Sequence, residues 1–339
     1  MALLKPRRWI QSVALAALLP LPVIAAPAVA KTGGPASCAE CHLQEIEAWK
    51  LSVHFKTLNT MHRRPETVAM LAKLDLKNMK SEASCIECHY TSELVMDQSQ
   101  VTTGISCESC HGAGADWVKT HGDYGEGVTK ATESTEHRTR RRATAIANGM
   151  LNPDNLYGVG ANCYGCHILN DEKVANVGGH SAGSAGFNLL TWSQGEVRHT
   201  ILAHDNKANP EATPEHRRLL YLVGCILETE FSFRATARAT EKAAFGITSA
   251  RRADAARKQL EKIQSLAPTP ELAPIITVAK AAGLRLNNVA ELTAAADRIA
   301  TLGHELAERV TGDKLAALDP LLPDSAQYKG TPYQVVAKP

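Results

Sequence analysis

Aromatic residues are scarce in this chain, where Phe, Trp and Tyr together make up 5% of 339 residues. From about Lys31 to Pro210 the sequence is also rich in Gly, Asn, Ser and His and has little regular periodicity. Such a segment has few large apolar side chains with which to build a hydrophobic core. We therefore expect bound non-protein groups to supply that core, and we expect the segment to be largely unfolded without them.

Neither sign of charge dominates, because the chain has 37 Lys and Arg residues and 35 Asp and Glu residues, for a formal net charge of +2. This balance gives no indication of a nucleic-acid or membrane-surface partner. Beyond the N-terminus there is also no apolar run of the roughly 20 residues that a membrane span needs. We therefore predict no nucleic-acid partner and no membrane span in the mature chain.

Residues 1–30 have the three parts of a secretory leader: a basic start, an apolar run and the small-residue cleavage site Ala28-Val29-Ala30. A membrane anchor is the alternative, but prolines interrupt the run, which is short for a span. The sequence predicts a cleaved signal peptide and a periplasmic protein, with an extracellular location as the alternative. Loss of Lys5, Arg7 and Arg8 changes the formal net charge from +2 to −1.

Cysteine is almost confined to one pattern, since eight of the nine cysteines lie in four copies of Cys-x-x-Cys-His. The copies are Cys38/Cys41/His42, Cys85/Cys88/His89, Cys107/Cys110/His111 and Cys163/Cys166/His167. In this pattern two thiols add to the vinyl groups of a porphyrin, and the adjacent histidine becomes the proximal ligand of the iron. The sequence thus predicts four covalently attached c-type haems, numbered here in the order of their motifs. We expect four buried porphyrins to supply the core that the side chains lack.

Disulfides and zinc are the alternative uses of paired cysteines in an exported protein. A disulfide framework does not need a histidine after every cysteine pair. Two Cys-x-x-Cys pairs are enough for one tetrahedral zinc site, so four pairs would bind two zinc ions and leave the four histidines without a role. Haem therefore explains the pattern better than either alternative. The ninth cysteine, Cys225, lies in the apolar run Leu219–Leu227, where we expect it to be a buried small hydrophobic residue.

The second axial ligand of each iron decides between electron transfer and substrate binding. Nine of the thirteen histidines remain after the proximal four. His54 belongs to the apolar stripe of a predicted helix over Gln44–Met61, His121 follows the third motif, and His180 lies between glycines that permit close approach to a flat porphyrin. These three are the predicted distal ligands. The remaining candidates are His62, His137, His199, His204, His216 and His304.

Two stretches resemble the tetrahaem cytochrome c-554 family of nitrogen-cycling bacteria. The first is Ser37–Met61, with its motif followed by Trp49 and His54, and the second is the glycine-flanked Gly104–Gly114 with His121 after it. The likeness extends over about residues 36–125 and 160–170, and no lysine variant of the motif is present.

This resemblance implies that His121 ligates the first haem opposite His42, and that His54 ligates the third opposite His111. It also implies that the second haem has no strong sixth ligand, and that the sixth ligand of the fourth haem is a histidine shortly before the fourth motif. Residues 157–162 contain no histidine, so the chain departs from the family there. His180 is the replacement that we predict for the fourth haem, with His199 and His204 as alternatives.

The expected fold class is mainly α, with an irregular haem-cored multihaem cytochrome domain followed by an antiparallel helical bundle. The predicted boundaries are 31–210 for the haem domain, 211–315 for the bundle and 316–339 for an extended tail. Helices are predicted over Glu215–Lys242 and Ser249–Leu266, from Thr269 to Gly283, and from Asn288 to about Gly312, on the basis of caps and apolar periodicity.

These features predict an electron carrier that serves redox partner proteins rather than an enzyme. One alternative is a reductase of a small nitrogen or sulfur oxide, acting at a five-coordinate second haem. The other is a haem-wire subunit that forms homo-oligomers or filaments through the helical domain. Spin state and oligomeric state would distinguish the three.

Overall fold

Helices account for most of the regular structure in the computed structural model, which describes residues 31–95, 98–184 and 186–336. The leader predicted over residues 1–30 lies outside the described residues. The α-helices are α1 Leu43–Leu51, α2 Val53–Thr60, α3 Pro65–Leu74, α4 Ala83–His89, α5 Cys107–His111, α6 Val118–Gly122, α7 Thr135–Ala147, α8 Leu156–His167, α9 Glu172–Asn176, α10 Leu189–Ser193, α11 Pro214–Ala237, α12 Ala244–Leu266, α13 Leu272–Ala281 and α14 Val289–Arg309.

An antiparallel hairpin of β1 (Thr91–Val95) and β2 (Gln98–Thr103) lies between the second and third motifs, and its register shifts between Thr91 and Ser92. With a hairpin as the sheet structure of the described residues and helices as the main regular structure, the prediction of a mainly α fold is confirmed.

The helix predicted over Gln44–Met61 is instead two helices, α1 and α2. Ser52 separates them, with an extended backbone at ψ 159°, and its hydroxyl accepts a hydrogen bond from the Phe55 amide. A serine in this role satisfies an amide that the start of a helix leaves free, so it favours a new helix start over continuation. The break changes the direction of α2 relative to α1, and therefore the position of His54.

The helices after residue 213 begin and end close to the predicted positions. Thr213 caps α11 by accepting from the His216 amide, and proline follows at the first helical position. α12 begins earlier than predicted, at Ala244, and α13 begins at Leu272 rather than at Thr269. α11 is the central helix, since it packs against α12, α14 and α8.

The main hydrophobic core includes residues on both sides of position 210. Tyr157 and Tyr164 of α8 are 1% and 2% exposed and belong to the same apolar cluster as the buried face of α11. The Tyr157 hydroxyl also donates to the Glu230 carboxylate on α11 at 2.7 Å. The fourth motif, at the end of α8, is therefore fixed on the helical bundle.

The core before residue 156 is small. Among the described residues there, Trp117, Ala145 and Met150 form one buried cluster, with Val118 packed against it. The expectation of little side-chain core in residues 31–210 therefore fits residues 31–155, and it is wrong for residues 156–210, which contribute to the main core.

Residues 325–336 run alongside the segment that leads to His199. The Lys329 carbonyl accepts from the Glu196 amide at 2.7 Å, and the Lys329 amide donates to the Thr191 carbonyl at 3.0 Å. Farther along, the Asn209 side chain donates to the Tyr333 carbonyl at 3.1 Å. The C-terminal residues thus help to fix the position of the 191–209 segment.

Candidate haem centres

Each motif forms a tight helical turn, which directs both thiols to one side and ends in the proximal histidine. α4 ends at His89, α5 at His111 and α8 at His167, while residues 38–42 form a turn in which the His42 amide donates to the Cys38 carbonyl at 3.0 Å. All nine cysteines are free thiols. The eight motif thiols are therefore available for attachment to porphyrin.

The motif cysteines differ in exposure. Cys41 is exposed, whereas the other seven are partly buried. The role of all eight as attachment thiols stays a prediction.

Every proximal histidine faces a second histidine from another part of the chain. The ring centroids are 6.3 Å apart for His42 and His121, 6.3 Å for His54 and His167, 6.2 Å for His89 and His180, and 6.2 Å for His111 and His199. These four separations are almost identical, although the angles between the ring planes range from 14° to 86°. A common spacing without a common stacking angle indicates a shared ligand geometry rather than ring stacking.

The spacing fits one metal ion between two imidazoles. A metal–imidazole nitrogen bond is about 2.0–2.1 Å long, so two rings on opposite sides of one metal have centroids about 6 Å apart. Among the described residues, no group of three or more His, Cys, Asp or Glu side chains could hold a bare metal ion. Two axial nitrogens are what the protein contributes to a six-coordinate haem iron, because the porphyrin supplies the other four.

His121 lies opposite His42, the arrangement that the family resemblance implies. His54 differs from the expectation, because it lies opposite His167 and not opposite His111. The reason is the position of α2, where the Thr57 hydroxyl lies 2.9 Å from the His89 carbonyl oxygen and 2.8 Å from that of His54. These contacts hold α2 beside the second motif and the end of α8.

His180 also differs from the expectation, because it lies opposite His89 and not opposite His167. Its amide donates to the Val174 carbonyl at 3.2 Å, and Gly179 before it has φ +82°, a backbone conformation that glycine readily adopts. The structure therefore gives the second proximal histidine a partner that the family resemblance does not imply.

His199 is the distal candidate that the sequence named only as an alternative, and for the fourth haem. The structure places it opposite His111 of the third motif. Asn209 holds its segment by accepting from the Thr200 amide at 3.0 Å and donating to the Arg198 carbonyl at 2.9 Å. The sequence of this loop has no apolar periodicity from which its position could be predicted. The polar Asn209 shortly after it is the one local feature that indicates an ordered loop.

Burial favours the neutral form of six of the eight paired imidazoles. Desolvation is the first cause that lowers the pKa of both His89 and His167 to about 4, and the neighbouring histidine adds to the effect in each case. Desolvation also lowers the pKa of His42, His54, His111 and His121. A neutral imidazole has the free nitrogen lone pair that a metal needs.

Oxygen atoms lie close to Nδ1 of two proximal rings. His111 Nδ1 lies 3.2 Å from the Leu151 carbonyl oxygen, and His167 Nδ1 lies 3.0 Å from the Ser184 hydroxyl. Contacts of this length at Nδ1 leave Nε2 free for a metal and fix the plane of the ring. His42 Nδ1 lies 3.9 Å from the Glu45 carboxylate, which is beyond hydrogen-bond distance.

Several buried hydrogen-bond donors near the paired histidines have no acceptor, as expected if bound haem supplied the acceptors. Trp117 Nε1, the Tyr90 hydroxyl and Arg198 Nε have no hydrogen-bond partner among the described residues. Tyr90 follows His89, Arg198 precedes His199, and the Trp117 ring lies 5.8 Å from that of His121. An unsatisfied buried donor costs about 1–3 kcal/mol. Haem propionates are anionic acceptors of the kind that these donors would bind.

The motifs follow one another in space in an order that differs from the sequence. The Cys38 thiol lies next to that of Cys107, a contact that lowers the pKa of Cys38 to about 7. The Cys166 sulfur lies 3.7 Å from the Glu87 carbonyl oxygen. Asn162 on α8 donates to the Cys110 carbonyl at 2.9 Å. The first motif thus neighbours the third, the third neighbours the fourth, and the fourth neighbours the second.

A buried ion pair supports the loop that carries His121. Arg141 makes two hydrogen bonds to the Glu133 carboxylate, at 2.7 and 2.8 Å, and also donates to the His121 carbonyl. The Glu133 side chain is 1% exposed and also contacts His137 Nδ1 at 2.7 Å. The hydrogen bond from Arg141 is the first cause that lowers the pKa of Glu133 to about 2.

Glu133→Gln is expected to lower stability at neutral pH and to flatten the acid-unfolding curve. Because the folded-state pKa is depressed, the stabilisation by Glu133 is present above the unfolded-state pKa of about 4.3. It is lost as the pH falls through about 2. Chemical unfolding between pH 7 and pH 2 measures the difference between wild type and variant, which should shrink across that window.

Glu136→Gln is the matched control, because Glu136 lies on α7, the helix that also carries Arg141, is 88% exposed and is paired with Arg140 at 3.4 Å. Its unfolding curve should follow that of the wild type. Equal effects of the two substitutions would rule out a specific role for the Glu133–Arg141 pair.

Comparison with known proteins locates the likeness in the first part of the chain. Residues 37–112 match the family described as Cytochrome c554 and c-prime. A curated protein of Nitrosomonas europaea, Cytochrome c-554, is 28% identical over 116 residues, which are 31% of this chain and 48% of that protein. The chain therefore matches about half the length of this relative. No solved structure gives a significant match.

The matched segment contains the first three motifs complete, together with His54. Similarity to a family of c-type cytochromes supports covalently bound haem c and a role in electron transport. Through residues 37–112, the chain is similar to the cytochrome c554 and c-prime family.

Proposed function

We propose that this protein is an exported tetrahaem c-type cytochrome that passes single electrons between redox partner proteins, with two histidine ligands on every haem iron. The observation that carries the proposal is the set of four histidine pairs at 6.2–6.3 Å, one for each motif. The proximal ligands are His42, His89, His111 and His167, and their distal partners are His121, His180, His199 and His54, respectively.

A haem with two histidine ligands is coordinatively saturated and exchanges electrons without binding a substrate at iron. The reductase alternative needs an open position on the second haem, where His180 lies opposite His89. The geometry thus favours a carrier over a reductase.

The spatial order of the motifs supports a path through the protein. An electron that enters at the first haem would pass to the third, then the fourth, then the second, because the neighbouring motifs contact one another in that order. Donor and acceptor proteins would then meet different ends of the path, the first haem at one end and the second at the other.

The proposal of export rests on the leader of residues 1–30 and on the exported side of the membrane as the place where c-type haem is attached. Within the described ranges, no helix combines the length and the apolar character of a bilayer-crossing segment. We place the mature protein in the periplasm. Fractionation of cells that express the full chain, compared with a chain lacking residues 1–30, measures the location, and haem attachment to the leaderless chain would contradict it.

The test of the function is a haem count combined with spin-state spectroscopy on the purified holoprotein. Intact mass should show four covalent haems, and electron paramagnetic resonance of the oxidised protein should show low-spin iron alone. Fewer than four haems, or a high-spin ferric signal that changes on addition of nitric oxide, would contradict the proposal and favour the reductase.

A further inference from the structure

Glu45 on α1 is a buried carboxylate that faces the proximal ligand of the first haem. Glu45 is 9% exposed, and its Oε2 lies 3.9 Å from His42 Nδ1 and has no hydrogen-bond partner in the described part of the chain. Oε1 accepts from the Leu202 amide at 2.5 Å. A carboxylate oxygen that is removed from water needs a donor, and the ring N–H of His42 is the group that faces it.

The other proximal rings with a contact at Nδ1 face neutral oxygens. His111 faces the Leu151 carbonyl, and His167 faces the Ser184 hydroxyl. A full negative charge beside His42 is therefore a difference between the first haem and both of these.

We propose that Glu45 lowers the reduction potential of the first haem by acting through His42, an inference that rests on the proposed function. A carboxylate beside the ring N–H makes the imidazole a stronger donor to iron. It also stabilises the positive charge of the oxidised centre, and this attraction is stronger in a poorly hydrated interior than in water. Reduction adds one electron from an external reductant and breaks no bond, so the charge of Glu45 favours the ferric state.

The same carboxylate connects two haems. Glu45 accepts a hydrogen bond from the Leu202 amide. Leu202 lies three residues after His199, which is the histidine opposite His111 of the third motif. Glu45 thus holds the segment that carries His199 and lies beside His42. The first haem is next to the third, and a low potential at the first would favour electron flow from the first towards the third.

Glu45→Gln tests the proposal because glutamine keeps the oxygen that accepts from Leu202 and removes the charge. In a potentiometric titration followed by the haem absorption bands, one of four one-electron steps should move to higher potential. The expected change is about tenfold in the ratio of reduced to oxidised haem at fixed potential, or about 59 mV. The other three steps should stay in place, and all haems should remain low-spin.

Glu47→Gln is the matched control, because Glu47 is on the same helix, is 47% exposed and is paired with Lys50 at 2.8 Å. It should leave all four steps unchanged. Glu45→Asp keeps the charge and should retain most of the low potential, whereas a shift equal to that of Glu45→Gln would assign the effect to packing and overturn the proposal.

The two proposals fail in distinguishable ways. A Glu45→Gln protein with four low-spin haems and unchanged potentials would overturn the role of Glu45 and leave the proposed function intact. A Glu45→Gln protein that loses a haem or a ligand would also overturn it, since the residue would then be structural. A wild-type protein with fewer than four haems, or with high-spin iron, would instead overturn the proposed function.

Discussion

His180→Ala is expected to convert one haem of four from low-spin to high-spin and to let it bind an added ligand. The ring of His180 lies 6.2 Å from that of His89, and alanine has no donor atom to replace it. One quarter of the iron should change, and nitric oxide or cyanide should then bind with a stoichiometry of one per chain. Electron paramagnetic resonance and ligand titration of the oxidised protein measure both quantities.

His204→Ala is the control for this substitution, because His204 is an exposed histidine in the turn that follows His199. It should leave all four haems low-spin. If His180→Ala also left them low-spin, the ligand of the second haem would be another residue. If the wild type bound the ligand before any substitution, the second haem would be open, as the family resemblance implies.

Gly104→Ala is expected to disturb the ligation of the fourth haem from a distance. A Cβ at this position would come within 3 Å of the carbonyl oxygens of His54 and Phe55 and would lie 2.6 Å from Thr57 Oγ1. The helix α2 would have to move away, and His54 with it. Overpacking of this kind costs about 1–3 kcal/mol. The variant should unfold at lower denaturant concentration and should show partial high-spin character at one haem.

Gly122→Ala provides the comparison, since a Cβ there meets nothing within 4 Å. It should match the wild type in both readouts, although Gly122 follows His121. A Gly104→Ala protein with unchanged spin state would show that α2 can shift without moving His54 away from the haem. Loss of two low-spin haems would show that the contact also supports the third motif, which begins at Cys107.

Local patterns predict the attachment motifs because the chemistry of each is contained within five consecutive residues. The sequence therefore predicts the attachment thiols and the proximal histidines, and it correctly predicts the mainly α fold and the approximate helices after residue 213. The predicted start and end positions of the helices are less accurate. The helix predicted over Gln44–Met61 includes Ser52, although serine is well suited to start a new helix.

The distal ligands were harder to assign because the pairing of histidines is a tertiary property. His54 and His180 were identified as candidates from an apolar stripe and a glycine-rich loop, but neither pattern contains information about which motif it faces. The structure places them opposite His167 and His89 rather than in the expected positions. His199 lies in a loop whose position depends on Asn209 and on the C-terminal residues, which no local pattern connects to the third motif.

The four histidine pairs have a topological consequence. The chain loops closed by 42–121, 54–167, 89–180 and 111–199 all overlap, and residues 112–120 lie inside every one of them. With haem bound, a single cut within 112–120 would leave two fragments joined by four iron bridges. A chain that is exported from its N-terminus could close the first of these bridges once His121 has crossed the membrane. The last would wait for His199, so thioether attachment at the first three motifs can precede the final fold.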